Sequence, residues 1–475
     1  MFPHGHRRSP TTGLILAFAA LLAVPACGPD GGAGGPRPNV LLVVLDTTRA
    51  DFLSSYGFPR ETTPVIDGLA ETGVRYENAF STAPWTLPSH ASLFTGLYPT
   101  EARATSETLH LPQYVTTLAE RMSDAGYRAR AAVANPWVCP ERGFDRGFEE
   151  FVETWRAPLR RPPVVEPLEW IRESKESGKP FFVFLNFNTP HLPYNPRPEF
   201  RKRFVSAGRD PVAVGRLARL YGTYEYYVGK KRLEAEEIEI LRELYAAEVA
   251  SVDTMLGRIF GALRDAGMFD DTLIVVVGDH GENIGDHGHL GHFLSMHETL
   301  LRIPLVVRYP KRFPSGEVVT DLVSLIDVLP TVLDASGIAG TPASAHIGRR
   351  SLCSPERERR EFVIAENGRP VTVLDQLRKH FPEFDTAALD HRTRTIRNDR
   401  HKLIWRVGEG TELYDLRADP EETKDLAGTR PEIERDLRAK LEAWAKSHPA
   451  IQPVGEIDVD DPEALERLRA LGYIR

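Results

Sequence analysis

Three cysteines in 475 residues are too few for a disulfide framework. Basic charge is not in excess either. The formal net charge is -8, which excludes the basic surface on which nucleic-acid binding rests. There is no internal repeat, and no low-complexity tract beyond the first forty residues. The chain also lacks an apolar run long enough to span a bilayer comfortably. The longest candidate, Leu14 to Val24, falls short of the roughly 20 residues required. It follows Arg7 and Arg8 and runs through small residues into Cys27, the order of a secretory signal. Val24-Pro-Ala-Cys27 resembles a bacterial lipobox, with a plain secreted protein and a stray cysteine as the other reading. Residues 28–38, rich in glycine and proline, read as a flexible tether. The expectation is an exported bacterial lipoprotein in the periplasm or at the cell surface, touching the membrane only through its anchor.

What is present is a composition ordinary for a globular protein, 41% hydrophobic and 27% charged. At this length a large domain with a smaller partner is the default. Asn39 to Leu45, Phe181 to Asn186 and Leu273 to Gly278 are continuous apolar runs rich in β-branched or aromatic residues. They read as strands buried on both faces of a parallel sheet. Each is followed at once by polar chemistry: Asp46, His191 and the pair Asp279-His280. In open α/β sheets ligand sites form at the C-terminal strand ends. Glu234 to Ala266 is a long amphipathic helix ending near Gly267. Phe204 to Lys231 is less regular and reads as a basic-aromatic surface insertion. After about Ser354, alternation from Thr393 to Trp405 and the segment Glu412 to Leu416 predict a small antiparallel sheet, and Pro431 to Ser447 a helix packed on it. The predicted division is 1–27 signal, 28–38 tether, 39–353 catalytic α/β domain with a large mostly parallel or mixed sheet, and 354–475 a C-terminal α+β part.

Two aspartates, a histidine and a hydroxyl suit one divalent cation, which activates the hydroxyl as a nucleophile. The hydroxyl is Thr86, placed just before a Pro-led helix whose first N–H groups attract anions. The metal set is Asp46, Thr86, Asp279 and His280. His191 is placed to protonate a leaving oxygen. His292 is a candidate for the oxyanion pocket. Glu282 and Arg49 are expected to orient neighbours, Arg49 as an ion pair with Asp51. His287 and His289 with Asp286 form either a second metal site or, the preferred reading, a polar loop.

Several motifs in order carry a family resemblance. They are Pro38 to Asp46, Thr48-Arg-Ala-Asp51, Tyr56-Gly57, Pro64 to Ala70, Thr86-Leu-Pro-Ser-His-Ala-Ser-Leu-Phe-Thr-Gly96, Gly278-Asp-His-Gly-Glu282, Gly285-Asp-His-Gly288, Arg302 to Leu305 and Glu412 to Leu416. Together they resemble the sulfatase family of the alkaline phosphatase superfamily, over nearly the whole mature chain. The resemblance implies that fold, an anionic sulfate or phosphate ester as substrate, and one divalent metal, calcium by family precedent. It carries the metal ligands onto Asp46, Asp279 and His280, the nucleophile onto Thr86 and the leaving-group acid onto His191. His292 falls near the family's lysine or histidine that holds the substrate oxyanion.

Three departures matter. The family's Cys-x-Pro-x-Arg, whose first residue becomes formylglycine, is here Thr86 to His90. Threonine cannot form the aldehyde, so no formylglycine is expected, and a threonyl sulfate has no second hydroxyl to expel sulfate. A threonyl phosphate is open to water, so phosphoryl chemistry is preferred. His90, at the arginine position, either replaces that contact or faces solvent. The paired aspartates become Asp46-Thr47, and with imidazole present the donor set leans to manganese or zinc. The Lys-x-His segment becomes Ala134-Asn-Pro-Trp137, leaving Asn135 as a possible donor. Cys353-Ser-Pro-Glu-Arg357 matches the minimal motif but lacks its context, and Cys139 is read as structural. The alternatives kept are a transferase of a phospho-group to envelope lipid or glycan, and an inactive homologue that binds anionic glycans.

Overall fold

Continuous apolar runs bury both faces of a strand, and the centre of this molecule is built from three of them. In the computed structural model, which describes residues 37–156, 161–220, 223–338 and 350–450, Asn39–Leu45 (β1) lies between Phe181–Phe187 (β5) and Thr272–Gly278 (β6), parallel to both. All seven residues of each are buried. Alternate residues of β1 serve opposite layers. Val40, Leu42 and Val44 join one hydrophobic cluster, and Leu41, Val43 and Leu45 join the other. Each such side chain contributes about 1.5–3 kcal/mol on burial, so a one-residue slip of β1 would cost both layers at once.

The remaining strands complete a mixed sheet of nine among the described residues. They are Val74–Phe80 (β2), Arg128–Val133 (β3), Glu150–Glu153 (β4), Arg302–Ile303 (β9), Leu305–Arg308 (β10) and Glu317–Ser324 (β11). Two further two-residue strands, Asn283–Ile284 (β7) and Leu290–Gly291 (β8), pair only with each other. The order across the main sheet is β11-β2-β10-β6-β1-β5-β3-β4, with β9 on β2. β10 is antiparallel to both neighbours.

The helix Ala235–Asp265 covers one face, with Leu241, Leu244, Val252, Leu256 and Ile259 buried. The segment expected to be an irregular solvated insertion, Phe204 to Lys231, starts at the last residue of the helix Pro198–Phe204 and contains two short helices, Pro211–Leu217 and Tyr224–Tyr227. Phe204, Val214 and Leu217 are buried in the same layer as the long helix, while Val212 stays exposed.

Val363–Asn367, Thr393–Arg397, His401–Arg406 and Gly410–Asp415 form a four-stranded antiparallel sheet in sequence order. The helix Pro431–Ser447 lays Leu437, Leu441 and Trp444 on it, together with Tyr98 and Ile326 from the large sheet's side. The described residues form one compact unit. The signal segment, Cys27 and the tether to Pro36 lie outside the described residues. Among the described residues no helix is long and apolar enough to cross a membrane.

Candidate active site

The C-terminal ends of β1 and β6 are neighbours, so Asp46 and Asp279, more than two hundred residues apart, emerge side by side. The register pairs Leu45 with Gly278, the residue before each acid. Both carboxylates are fully buried, and Asp46 Oδ1 and Asp279 Oδ2 make no hydrogen bond. Two buried, unpartnered carboxylate oxygens are costly unless a cation lies between them. The third donor is His280. Its Nδ1 lies 2.9 Å from the Gly281 carbonyl oxygen, an assignment that puts the proton on Nδ1 and leaves the Nε2 lone pair free. Nε2 lies 3.7 Å from Asp46 Oδ1, 3.3 Å from Asp279 Oδ2 and 3.3 Å from Thr86 Oγ1. The carboxylate and imidazole donors lie within 4.8 Å of one another. These residues fit a divalent cation: two orphaned anionic oxygens, one imidazole in its ligand tautomer and one hydroxyl.

Local geometry holds the acids in this exposed electrostatic state. Thr47 has φ 53°, an uncommon conformation for a β-branched residue. That turn aims its N–H at Asp279 Oδ1, 3.1 Å away, while its carbonyl accepts from Tyr245 Oη at 2.6 Å. The backbone N–H of His280 also donates to Asp279 Oδ1 at 2.8 Å. Gly281 has no room for a side chain, since a Cβ would collide with the Thr299 carbonyl. Burial and the neighbouring Asp279 carboxylate push the Asp46 carboxyl up. In Asp279 burial acts the same way but is outweighed by His280, His90 and the His280 N–H, which hold it below the usual range.

Thr86 is the first residue of the helix Thr86–Thr95, with Trp85 as N-cap in an extended conformation. It therefore sits one step inside the helix rather than just before it, and Pro88 is the third helical residue rather than the first. Extended backbone at Trp85 brings the chain off the sheet edge and turns it at Thr86, so the hydroxyl lies at the helix mouth. The Trp85 side chain supplies no capping bond. The early N–H groups and the helix dipole are thus left for an anion.

His90 is fully buried and does not face solvent. Its Nδ1 lies 2.9 Å from the Thr86 carbonyl oxygen and 3.4 Å from Asp279 Oδ2, and its Nε2 lies 3.2 Å from Asn186 Nδ2. It ties the helix that carries Thr86 to Asp279 from beneath.

On the open side stand three imidazoles. The His280 and His292 rings are 4.6 Å apart, and those of His292 and His191 are 5.0 Å apart. His292 Nδ1 donates to Glu282 Oε1 at 2.7 Å, and Glu282 is fully buried. His191 Nδ1 donates to the Leu192 carbonyl at 2.6 Å, leaving Nε2 for the site. Asn135 completes the ring. Its Oδ1 accepts from the Trp137 N–H at 2.8 Å, which turns Nδ2 toward Asp46 Oδ2, Thr86 Oγ1 at 3.3 Å and Asn188 Oδ1 at 3.4 Å. Asn186, Asn188 and Tyr245 were not legible as site residues. The only available signal was the i, i+2 spacing of the two asparagines across the C-terminal end of a buried strand.

The remaining candidates lie elsewhere. Arg49 pairs with Asp51 and with Asp286, each at 2.7 Å. Asp286 also meets Arg242 at 3.2 Å, so it is already neutralised. His287 stacks on His297 with ring centres 3.6 Å apart, and the polar-loop reading of this segment fits. Cys353 is buried against Ser351 and Asp334, away from the acids. Cys139 is also free and buried.

Residues 38–338 match the family model described as sulfatase, and residues 285–447 match that of the N-sulphoglucosamine sulphohydrolase C-terminal region. The chain belongs to the sulfatase family. It is 27% identical over 486 residues to arylsulfatase K of Canis lupus familiaris, covering 90% of this chain and 88% of that one. It is 26% identical over 506 residues to the multifunctional alkaline phosphatase superfamily protein PehA of Trinickia caryophylli, covering 87% and 96%. The solved phosphonate monoester hydrolase of Agrobacterium radiobacter shares the fold, with TM-score 0.68 and 24% identity over 87% of this chain and 96% of that one. This sulfatase-family protein is an ester hydrolase, and its family is metal-dependent.

Proposed function

We propose that this sulfatase-family enzyme hydrolyses singly charged phosphorus esters, phosphate diesters or phosphonate monoesters, with Thr86 as nucleophile. The observation that carries this reading is Thr86 Oγ1 at a helix mouth, 3.3 Å from His280 Nε2 and beside two orphaned carboxylate oxygens. A bound divalent cation held by Asp46, Asp279, His280 and Thr86 would offset the two acids and lower the pKa of the hydroxyl. Oxygen and imidazole donors together favour manganese or zinc over calcium.

Thr86, its proton released to solvent, attacks phosphorus. The Oγ–P bond forms as the bond to the leaving oxygen breaks, and His191 Nε2, which carries a proton for this step, gives it to that oxygen. Water then attacks phosphorus and passes a proton back to His191 Nε2, the Oγ–P bond breaks, and the Thr86 oxygen takes a proton from solvent, which restores the hydroxyl. Asn135 Nδ2 and the helix N–H groups meet the non-bridging oxygens, and His292, held by Glu282, faces them from the other side. No lysine or arginine among the described residues is hydrogen-bonded or ion-paired to Asp46, Thr86, Asn135, His191, Asp279, His280 or His292. A dianionic phosphate monoester would therefore enter a site with little positive charge of its own.

Sulfate esters are the second reading, favoured by the likeness to arylsulfatase K. Threonine argues against them, because a threonyl sulfate lacks the second hydroxyl that would release it. The test is turnover of 4-nitrophenyl phenylphosphonate, bis(4-nitrophenyl) phosphate, 4-nitrophenyl phosphate and 4-nitrophenyl sulfate, each with Mn, Zn, Ca and Mg. Faster diester and phosphonate hydrolysis, with a phosphorus adduct on Thr86 by mass spectrometry, supports the reading. Sulfate hydrolysis that survives Thr86→Ala refutes it. Export as a lipoprotein through Cys27 is supported by the leader's order of basic, apolar and small residues. Cys27→Ala should then move the protein from the membrane fraction to the soluble one.

A further inference from the structure

Three aromatic side chains not used above gather at the site, and each is bound in sequence to a residue that works there. Trp85 precedes Thr86. Trp137 donates its N–H to Asn135 Oδ1. Phe293 follows His292. Their rings meet although the residues come from three distant loops. Trp85 and Trp137 are edge to face, with centres 5.4 Å apart at 85°. Trp85 and Phe293 lie 6.4 Å apart, and Phe293 packs on His292 at 4.5 Å. Trp85 is 5% exposed, whereas Trp137 and Phe293 keep part of their surface open. The Arg142 guanidinium lies 4.2 Å from the Trp137 ring centre and stiffens the group.

We infer that Trp85, Trp137 and Phe293 form an apolar subsite for the substituent on phosphorus that does not leave. The inference rests on the phosphoryl reading above. Its geometric reason is in-line displacement. The leaving oxygen departs on the side opposite Thr86 Oγ1, where His191 protonates it. Trp85 leads into Thr86, and Trp137 is tied to Asn135, whose Nδ2 lies 3.3 Å from Thr86 Oγ1, so two of the three rings are anchored on the attacking side, with Phe293 on His292 as the far end of the wall. Those two rings are better placed for a third ligand of phosphorus than for the leaving group. A phosphate monoester or a sulfate ester has only oxygen there, and offers the wall nothing. A phosphonate or diester with an aryl or branched alkyl arm buries that arm against the three rings. The enzyme is therefore tuned to esters whose retained arm is flat or bulky and apolar.

The test compares 4-nitrophenyl phenylphosphonate with 4-nitrophenyl methylphosphonate. They share a leaving group and a charge and differ only in the retained arm. In the metal-loaded wild type, kcat/KM for the phenyl compound should exceed that for the methyl compound by on the order of 10-fold, chiefly through KM. In Trp137→Ala that ratio should fall to about 2, and in Trp137→Phe it should stay near the wild-type value. Phe293→Ala, with its own ratio, keeps the test open if Trp137→Ala does not fold. A wild-type ratio near one overturns the subsite, as does a ratio unchanged in both alanine variants. Thr86→Ala separates the two levels. Thr86-dependent turnover with a ratio near one removes the wall and leaves the nucleophile. Turnover that persists in Thr86→Ala removes both.

Discussion

Two clusters of buried charge lie in this molecule, and they are built in opposite ways. Around Lys402, fully buried, Nζ meets Glu298 Oε1 at 3.0 Å and Glu422 Oε1 at 2.8 Å, with Arg397 3.5 Å from Glu298. Cation and anion are both supplied by the chain, and they join the small sheet to the loop after the active site. Around Asp46 and Asp279 the chain supplies anions, imidazoles and an amide, and among the described residues no lysine or arginine is hydrogen-bonded or ion-paired to either acid. The first cluster is closed electrostatically and serves the fold. The second is left open, at a cost in stability, and the opening is where a cation and the chemistry belong. Buried charge alone does not mark function; buried charge without its counterpart does.

That contrast can be broken at either end. The largest effect is expected at the open cluster: Thr86→Ala should lower kcat by at least about 10³-fold, about 4 kcal/mol of transition-state stabilisation, with the melting midpoint nearly unchanged. Steady-state kinetics beside calorimetry checks both halves. At the closed cluster, Lys402→Met leaves Glu422 without its buried cation and Glu298 with only the longer contact to Arg397, and should destabilise the protein by about 3 kcal/mol in urea unfolding. Its kinetic constants, measured where the protein stays folded, should change little.

A half-buried acid outside both clusters gives the third case. Burial pushes Glu248, on the long helix, up to about 7. A raised carboxyl contributes its stability below its unfolded value and loses it as pH rises through the folded one. The wild type should therefore weaken by up to about 3 kcal/mol between pH 4.5 and 7 from this group, at about 1.4 kcal/mol per unit. Glu248→Gln should flatten that slope, which urea midpoints across the pH range would show. The smallest effect is the sharpest for the comparison. Asp46→Asn should stabilise the metal-free protein by about 1–2 kcal/mol, because it removes one of two repelling buried charges. The same substitution should abolish the rise in melting temperature that Mn²⁺ gives the wild type. A loss of metal-free stability instead would mean that the open cluster is not strained.

The legible parts were those written in short-range pattern. Strands at Asn39–Leu45, Phe181–Phe187 and Thr272–Gly278 followed from apolar runs that only a two-sided sheet interior tolerates. The helices Ala235–Asp265 and Pro431–Ser447 followed from a 3.6-residue period. Asp46, Thr86, Asp279 and His280 stood out because polar groups directly after buried strands, or at a helix start, have little other reason to be there. Phe204 to Lys231 was misjudged because its period is broken over two short helices, too short for amphipathicity to show. The place of His90 also escaped, since one imidazole in a helix carries no sign of what lies beneath it.

The sequence by itself determined a central parallel sheet, an acid at the end of each of two strands and a threonine at the first position of the Thr86 to His90 motif. These depend on local periodicity and residue chemistry, which need no knowledge of distant neighbours. Only the tertiary structure decided that Asn135 turns its amide toward Thr86, that His90 lies beneath the acids and that Trp85, Trp137 and Phe293 share one wall. Those are meetings of loops from different strand ends. Their geometry is set by sheet order and by strained turns such as Thr47, and no residue carries that order in its own identity.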